Sequence, residues 1–131
     1  MAGDFLLDTN IAILFMASDP TVRARVESAG SIAVSFAALG ELYFGAFKSA
    51  RRAENLSRVE QFRRDVPVIG WDSETARQYG EIKKRLRDRG RPIPDNDIWI
   101  AAVALRNDLI LATRDGHFDE VEGLTVDHWS S

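Results

Sequence analysis

The stretch Phe5-Leu6-Leu7-Asp8-Thr9-Asn10 decides how the rest of the chain is read. A short, uninterrupted apolar run reads as a strand buried on both faces, the kind found in parallel sheets. Asp8 ends it, and Ile11 to Met16 looks helical. The same Asp8 and Asn10 break the apolar N-terminal segment, and no positive region precedes them, so the segment does not read as a signal peptide. No run approaches the ~18 apolar residues needed to span a membrane. A cytoplasmic protein is the expectation.

Working outward, Asp19-Pro20 opens a second helix, with Asp at the cap and Pro at the first position. Ile32 to Phe36 reads as a second strand and Ala37 to Ala50 as a helix. A further helix over Ala53 to Asp65 shows Leu56, Val59 and Phe62 on one face. Val66 to Trp71 reads as a third strand. Asp72 or Ser73 caps a long helix through Leu86, stopped by Gly90 and the Pro92/Pro94 pair. Asp95 reads as the cap of a helix from Asp97 to Arg106 that is apolar nearly all round, hence buried. Leu109 to Thr113 is a fourth strand and Leu124 to Asp127 a short fifth. Strands alternating with helices predict a three-layer α/β/α domain around a central, mostly parallel sheet. With no repeat, low-complexity tract or linker, residues 1–131 read as one domain.

Composition narrows the chemistry. There is no cysteine, which excludes disulfides, thiolate zinc sites and cysteine nucleophiles. Only His117 and His128 are present, so any metal would be held mainly by oxygen. The net charge of -3 hides a division: Lys48 to Arg91 holds 13 basic and 7 acidic residues, and the remainder 4 and 13. Such a division suits an enzyme that grips phosphates with one region and metal with another, and equally suits two solvated helices.

Ligands of open parallel sheets bind outside the carboxyl ends of the strands. Asp8 ends the first strand and Asp115 follows the fourth by two residues, so both fall on one sheet edge. Glu41 has Ala37, Ala38, Phe44 and Gly45 one turn away, an apolar face with no basic partner. Keeping an unpaired carboxylate there costs several kcal/mol unless something compensates. Asp97 repeats the pattern, with Ile100 and Ala101 one turn ahead. Each acid also has a local explanation: Asp8 as a helix cap, Asp97 as a helix-dipole partner, Asp115 as a turn residue. Glu41 has the weakest. Carboxylates converging on one place require a cation between them, and Mg²⁺ or Mn²⁺ with oxygen ligands would serve phosphodiester hydrolysis. Asp8 as a phosphorylated nucleophile is a rival, although Thr9-Asn10 follows where such sites usually place a second Asp.

With those residues in place, the chain resembles the PIN-domain family, and in detail its VapC-type toxins. Leu6-Leu7-Asp8-Thr9-Asn10 is similar to the first family motif, Gly40-Glu41-Leu42-Tyr43-Phe44-Gly45-Ala46 to the second, and Pro94-Asp95-Asn96-Asp97-Ile98-Trp99-Ile100-Ala101-Ala102 to the third. Thr113-Arg114-Asp115 with Phe118 resembles the fourth. The resemblance spans almost the whole chain. It implies a PIN-like fold and a Mg²⁺- or Mn²⁺-dependent endoribonuclease that cuts structured RNA (tRNA or rRNA) and arrests translation. It also implies a cognate antitoxin partner and a homodimer. In roles, it implies Asp8 and Asp97 as metal ligands and Glu41 as a ligand or as the base orienting water. Asp115 completes the catalytic set. Thr113 and Asn10 are supporting candidates, and Asp119 is left out. Lys83 to Arg91 read either as RNA-backbone contacts or as a solvated helix end. Tyr43, Phe44 and Trp99 read as core or dimer packing ahead of base stacking, and His117 as a surface turn residue.

Overall fold

Strand β1, Asp4–Leu7, lies in the middle of a five-stranded, all-parallel sheet in the computed structural model, which describes residues 2–130. It is followed by α1 (Thr9–Met16), α2 (Pro20–Ser28), β2 (Ser31–Ser35), α3 (Phe36–Lys48), α4 (Arg52–Asp65) and β3 (Val68–Ile69). Then come α5 (Ser73–Asp88), α6 (Asp95–Arg106), β4 (Ile110–Thr113), a short 3-10 helix (Gly116–Glu120) and β5 (Val126–His128). The strand order is β3-β2-β1-β4-β5. Among the described residues no helix is long and apolar enough to cross a membrane.

Why β1 is central follows from its residues. Phe5, Leu6 and Leu7 are all buried, and alternate side chains serve opposite faces of the sheet. Leu6 joins Leu111 of β4 in a large core beneath α3, α4 and α6. Phe5 and Leu7 pack with Ile11, Val22, Ala112 and Trp129 on the other face. Both faces are covered, and the sheet is the middle layer the sequence predicts.

Several boundaries differ from the sequence reading, each for a local reason. The Ser35 hydroxyl accepts from the Ala38 N–H at 3.1 Å, so β2 stops at Ser35 and Phe36 opens α3. Helix α3 closes at Lys48, where the Ser49 hydroxyl donates to the Ala46 carbonyl. The third strand shrinks to Val68–Ile69, because the Val66 N–H still serves α4, donating to the Phe62 carbonyl, and Pro67 has no N–H to give. Helix α5 runs on to Asp88 and ends where Gly90 takes φ +66°, a conformation that favours glycine. Asp95 is not the cap of α6: Pro94 holds that position, and Asp95 lies inside the first turn, its carboxylate bound to Lys83 Nζ at 3.0 Å and the Tyr79 hydroxyl at 3.1 Å.

The sheet order places the site. From β1 the chain moves outward through β2 and β3, then returns to the other side of β1 for β4. The carboxyl end of the β1–β4 pair is therefore the point at which strand order reverses, where open α/β sheets open a crevice. Leu7 pairs with Ala112, and the Asp8 N–H donates to the Ala112 carbonyl at 3.1 Å, so Asp8 and Thr113 leave the sheet side by side.

Leu6 is fully buried at the centre of this pairing. Leu6→Ala should lower unfolding free energy by ~2–5 kcal/mol, read by urea denaturation. A loss under ~1 kcal/mol would contradict the packing described.

Candidate active site

Asp8 is buried at the end of β1 and caps α1 at once: Oδ1 accepts the Ile11 N–H at 2.8 Å. Its other oxygen accepts the hydroxyl of Thr113, itself fully buried. That hydroxyl in turn accepts the Asp115 N–H at 2.9 Å, tying the first and fourth acidic segments together. Burial pushes the Asp8 carboxyl above its usual range, and the Thr113 and Ile11 hydrogen bonds pull it back only in part.

Asp115 repeats the double use. Its Oδ1 accepts the His117 N–H at 2.9 Å and caps the 3-10 helix. Local and shared-site explanations therefore coincide at Asp8 and at Asp115, since a capping carboxylate is one whose orientation the backbone holds.

Asp97 sits in the first turn of α6, half-buried, with no basic residue other than His117 within ion-pair reach among the described residues. Its carboxyl is pushed up to about 6, first by burial and then by the charges of Asp115 and Glu41. Glu41, also half-buried on α3, accepts the Thr9 hydroxyl on Oε1 at 3.1 Å. Thr9 was not singled out from the sequence as a contact of Glu41. Its place directly after Asp8, on the first turn of α1, is what brings it there.

The tightest group is Asp97, Asp115 and His117, whose ligand atoms all lie within 4.8 Å of one another. Asp8 and Glu41 flank it: Asp115 acts on the Asp8 carboxyl and Glu41 on that of Asp97 through their charges. His117 is the addition the sequence reading lacked. It is on the surface and in a turn, as expected, yet its Nδ1 is 3.2 Å from Asp115 Oδ2 and 3.6 Å from Asp97 Oδ2. Its position two residues after Asp115 was the available signal.

Beside the carboxylates runs a groove of about 720 Å³ that includes Glu41, Asn10 and Asn96 and is flanked by Phe36, Phe44 and Trp71. The last three are about half or more exposed. Lys48 lies over the Phe44 ring, 5.0 Å from its centroid. Trp99, by contrast, stacks on Tyr79 at 4.0 Å, and the Tyr43 hydroxyl donates to Glu60, so both are packing residues. In the basic run, Lys83 pairs with Asp95, Lys84 with Asp88, Arg85 with Glu81 and Glu122, and Arg91 with Glu120. Asp119 is taken by His128 at 3.0 Å.

Comparison with known proteins identifies the family. The PIN domain family model matches residues 5–124. The chain is 36% identical over 129 residues to the tRNA(fMet)-specific endonuclease VapC of Shigella flexneri, covering 96% of this chain and 98% of that protein. It is 34% identical over 128 residues to ribonuclease VapC2 of Haemophilus influenzae, with coverage of 95% and 97%. Among solved structures, VapBC-1 of nontypeable H. influenzae superposes with a TM-score of 0.89 at 30% identity, covering 96% of this chain and 98% of that one. VapBC2 of Rickettsia felis, bound to a promoter DNA fragment, gives 0.90 at 26%, with coverage of 97% and 99%. The chain therefore belongs to the PIN-domain family, and within it to the VapC toxins, endoribonucleases of toxin–antitoxin pairs.

Proposed function

We propose that Asp8, Glu41, Asp97 and Asp115 form the catalytic site of this endoribonuclease, that Asp8 and Asp97 hold Mg²⁺ or Mn²⁺, and that the whole of residues 1–131 acts as one nuclease domain. One observation carries the reading: four carboxylates from distant segments meet at the strand-order reversal with no Lys or Arg paired to them among the described residues. The donor set fits a hard divalent ion, being mostly oxygen and short of positive charge. When bound, such an ion polarises the phosphate and lowers the pKa of water.

The residues supply the rest. Thr113 holds Asp8 in one orientation and, through the Asp115 N–H, keeps the fourth acid beside it. Glu41, with Oε1 occupied by Thr9, has Oε2 left to accept a proton from an attacking water. The groove beside it takes the RNA strand, with Trp71 and Phe36 offering faces to unpaired bases. A phosphoaspartyl route is disfavoured because Thr9-Asn10 follows Asp8 where such sites usually place a second Asp.

The substrate is a structured RNA, tRNA or rRNA, in keeping with a relative named as a tRNA-specific endonuclease, and the partner is an antitoxin protein, in keeping with neighbours solved as toxin–antitoxin complexes. The working form is a homodimer in the cytoplasm, joined by that antitoxin in a hetero-oligomer.

Asp97→Asn should lower RNA cleavage by more than about 100-fold and abolish growth arrest while leaving the fold intact. Sequencing of RNA ends after expression reads this directly, and equal toxicity of variant and parent would sink the assignment. Thr113→Val should cost ~10–100-fold in activity with Thr113→Ser close to the parent, measured on the same RNA.

Asp97 also dictates a pH dependence. Its folded pKa of about 6 exceeds the ordinary 3.8, so the folded protein binds that proton more tightly than the unfolded chain does. Stability from this group is present at low pH and is lost as pH rises through that window. Metal-free Asp97→Asn should therefore gain Tm relative to the parent between pH 4 and 7. Adding Mg²⁺ or Mn²⁺ should raise the parent's Tm and not the variant's. A constant Tm difference across pH would contradict the charge crowding.

A further inference from the structure

His117 is the member of the tight group that the four-carboxylate reading does not use. Its position is held from two sides. The neighbouring Phe118 is buried in the core, and the His117 N–H donates to Asp115 Oδ1 at 2.9 Å. The ring is thereby presented to the acids although the side chain is 55% exposed. Nδ1 stands 3.2 Å from Asp115 Oδ2 and 3.6 Å from Asp97 Oδ2. Neighbouring donors in an octahedron of ~2.1 Å bonds lie ~3.0 Å apart, and opposite donors ~4.2 Å. The imidazole nitrogen is thus spaced from both carboxylates much as an adjacent ligand would be.

We infer that His117 Nδ1 is a further donor to the divalent ion that Asp97 helps to hold, entering on the side of Asp115, and that it biases the site toward Mn²⁺ over Mg²⁺, an assignment resting on the metal reading proposed above. Mg²⁺ binds oxygen and keeps its waters, whereas an imidazole nitrogen favours first-row transition ions. A site built of carboxylates alone lacks that preference. The competing role is a charge partner: a cationic His117 would quiet the acids in metal-free protein and give way to any divalent ion. Losing it would then shift the affinities for Mn²⁺ and Mg²⁺ together.

The test uses the full chain with Mn²⁺ or Mg²⁺ and no RNA. Electron spin-echo modulation of bound Mn²⁺ should show directly coordinated nitrogen in the parent and none in His117→Ala. The variant should bind Mn²⁺ at least about tenfold more weakly and Mg²⁺ within about twofold of the parent, with His117→Gln behaving like His117→Ala. Parent protein that binds Mn²⁺ without a nitrogen signal overturns the role of His117 and leaves the metal site standing. Equal weakening of both ions makes His117 a charge partner and also overturns it. Parent protein that binds neither ion overturns both readings. Should the variants fail to fold by circular dichroism, the parent spectrum decides alone.

Discussion

The Thr113 hydroxyl, fully buried at the end of β4, donates to Asp8 and accepts from the backbone of Asp115. The meeting of Asp8 and Asp115 in the candidate site depends on this one group. A buried hydroxyl must find partners, because leaving one unsatisfied costs about 1–3 kcal/mol. Here both partners belong to acidic segments separated by more than a hundred residues. The pairing of Leu7 with Ala112 makes the meeting unavoidable, since the next residue of each strand is Asp8 or Thr113. Parallel strands that were antiparallel instead would send Asp8 and Asp115 to opposite edges.

Around that hydroxyl, the acids proposed for the chemistry also do structural work with the same atoms. Asp8 and Asp115 each cap a helix and so arrive with their orientation set by backbone N–H groups. Preorganisation of this kind lets a ligand set form without first ordering its side chains. It also concentrates negative charge where water is scarce. Asp97 registers the cost, held up to about 6 by burial and by the charges of Asp115 and Glu41. A divalent cation placed there, as proposed for this site, would relieve that tension.

Farther out, charge is distributed for other ends. The basic run on and after α5 is largely consumed by Glu81 and Asp88 of α5 itself and by Asp95, Glu120 and Glu122, which fasten it to α6 and to the end of the 3-10 helix and the residues after it. Surface pairs of this type contribute little individually. The face beside Glu41 is different, with exposed Phe36, Phe44 and Trp71 and a single lysine, Lys48, over one ring. Aromatic planes suit a nucleic acid whose bases are unstacked, as in RNA loops.

Much of this was legible in the sequence. Apolar Phe5 to Leu7 ended by Asp8 announced a buried parallel strand, Asp19-Pro20 and Asp72 announced helix starts, and the four acids stood out against apolar neighbours. Those signals are local, and local chemistry records them. What the sequence could not supply was the company each side chain keeps. Asp95 looks like a cap, yet Lys83 and Tyr79 draw its carboxylate away. Trp71 looks like the end of a strand, yet β3 stops at Ile69 and the ring is about half exposed. His117 looks like a turn residue and is one, but only the meeting of β4 with α6 brings its imidazole to Asp97. Order and chemistry of residues are one-dimensional facts, whereas distances between segments are set by how a sheet crosses over and which faces its helices cover. The amino-acid order by itself therefore determined the parallel fold and the four acids, and tertiary packing alone decided which atoms among them, Thr9, Thr113 and His117 included, stand within reach of one another.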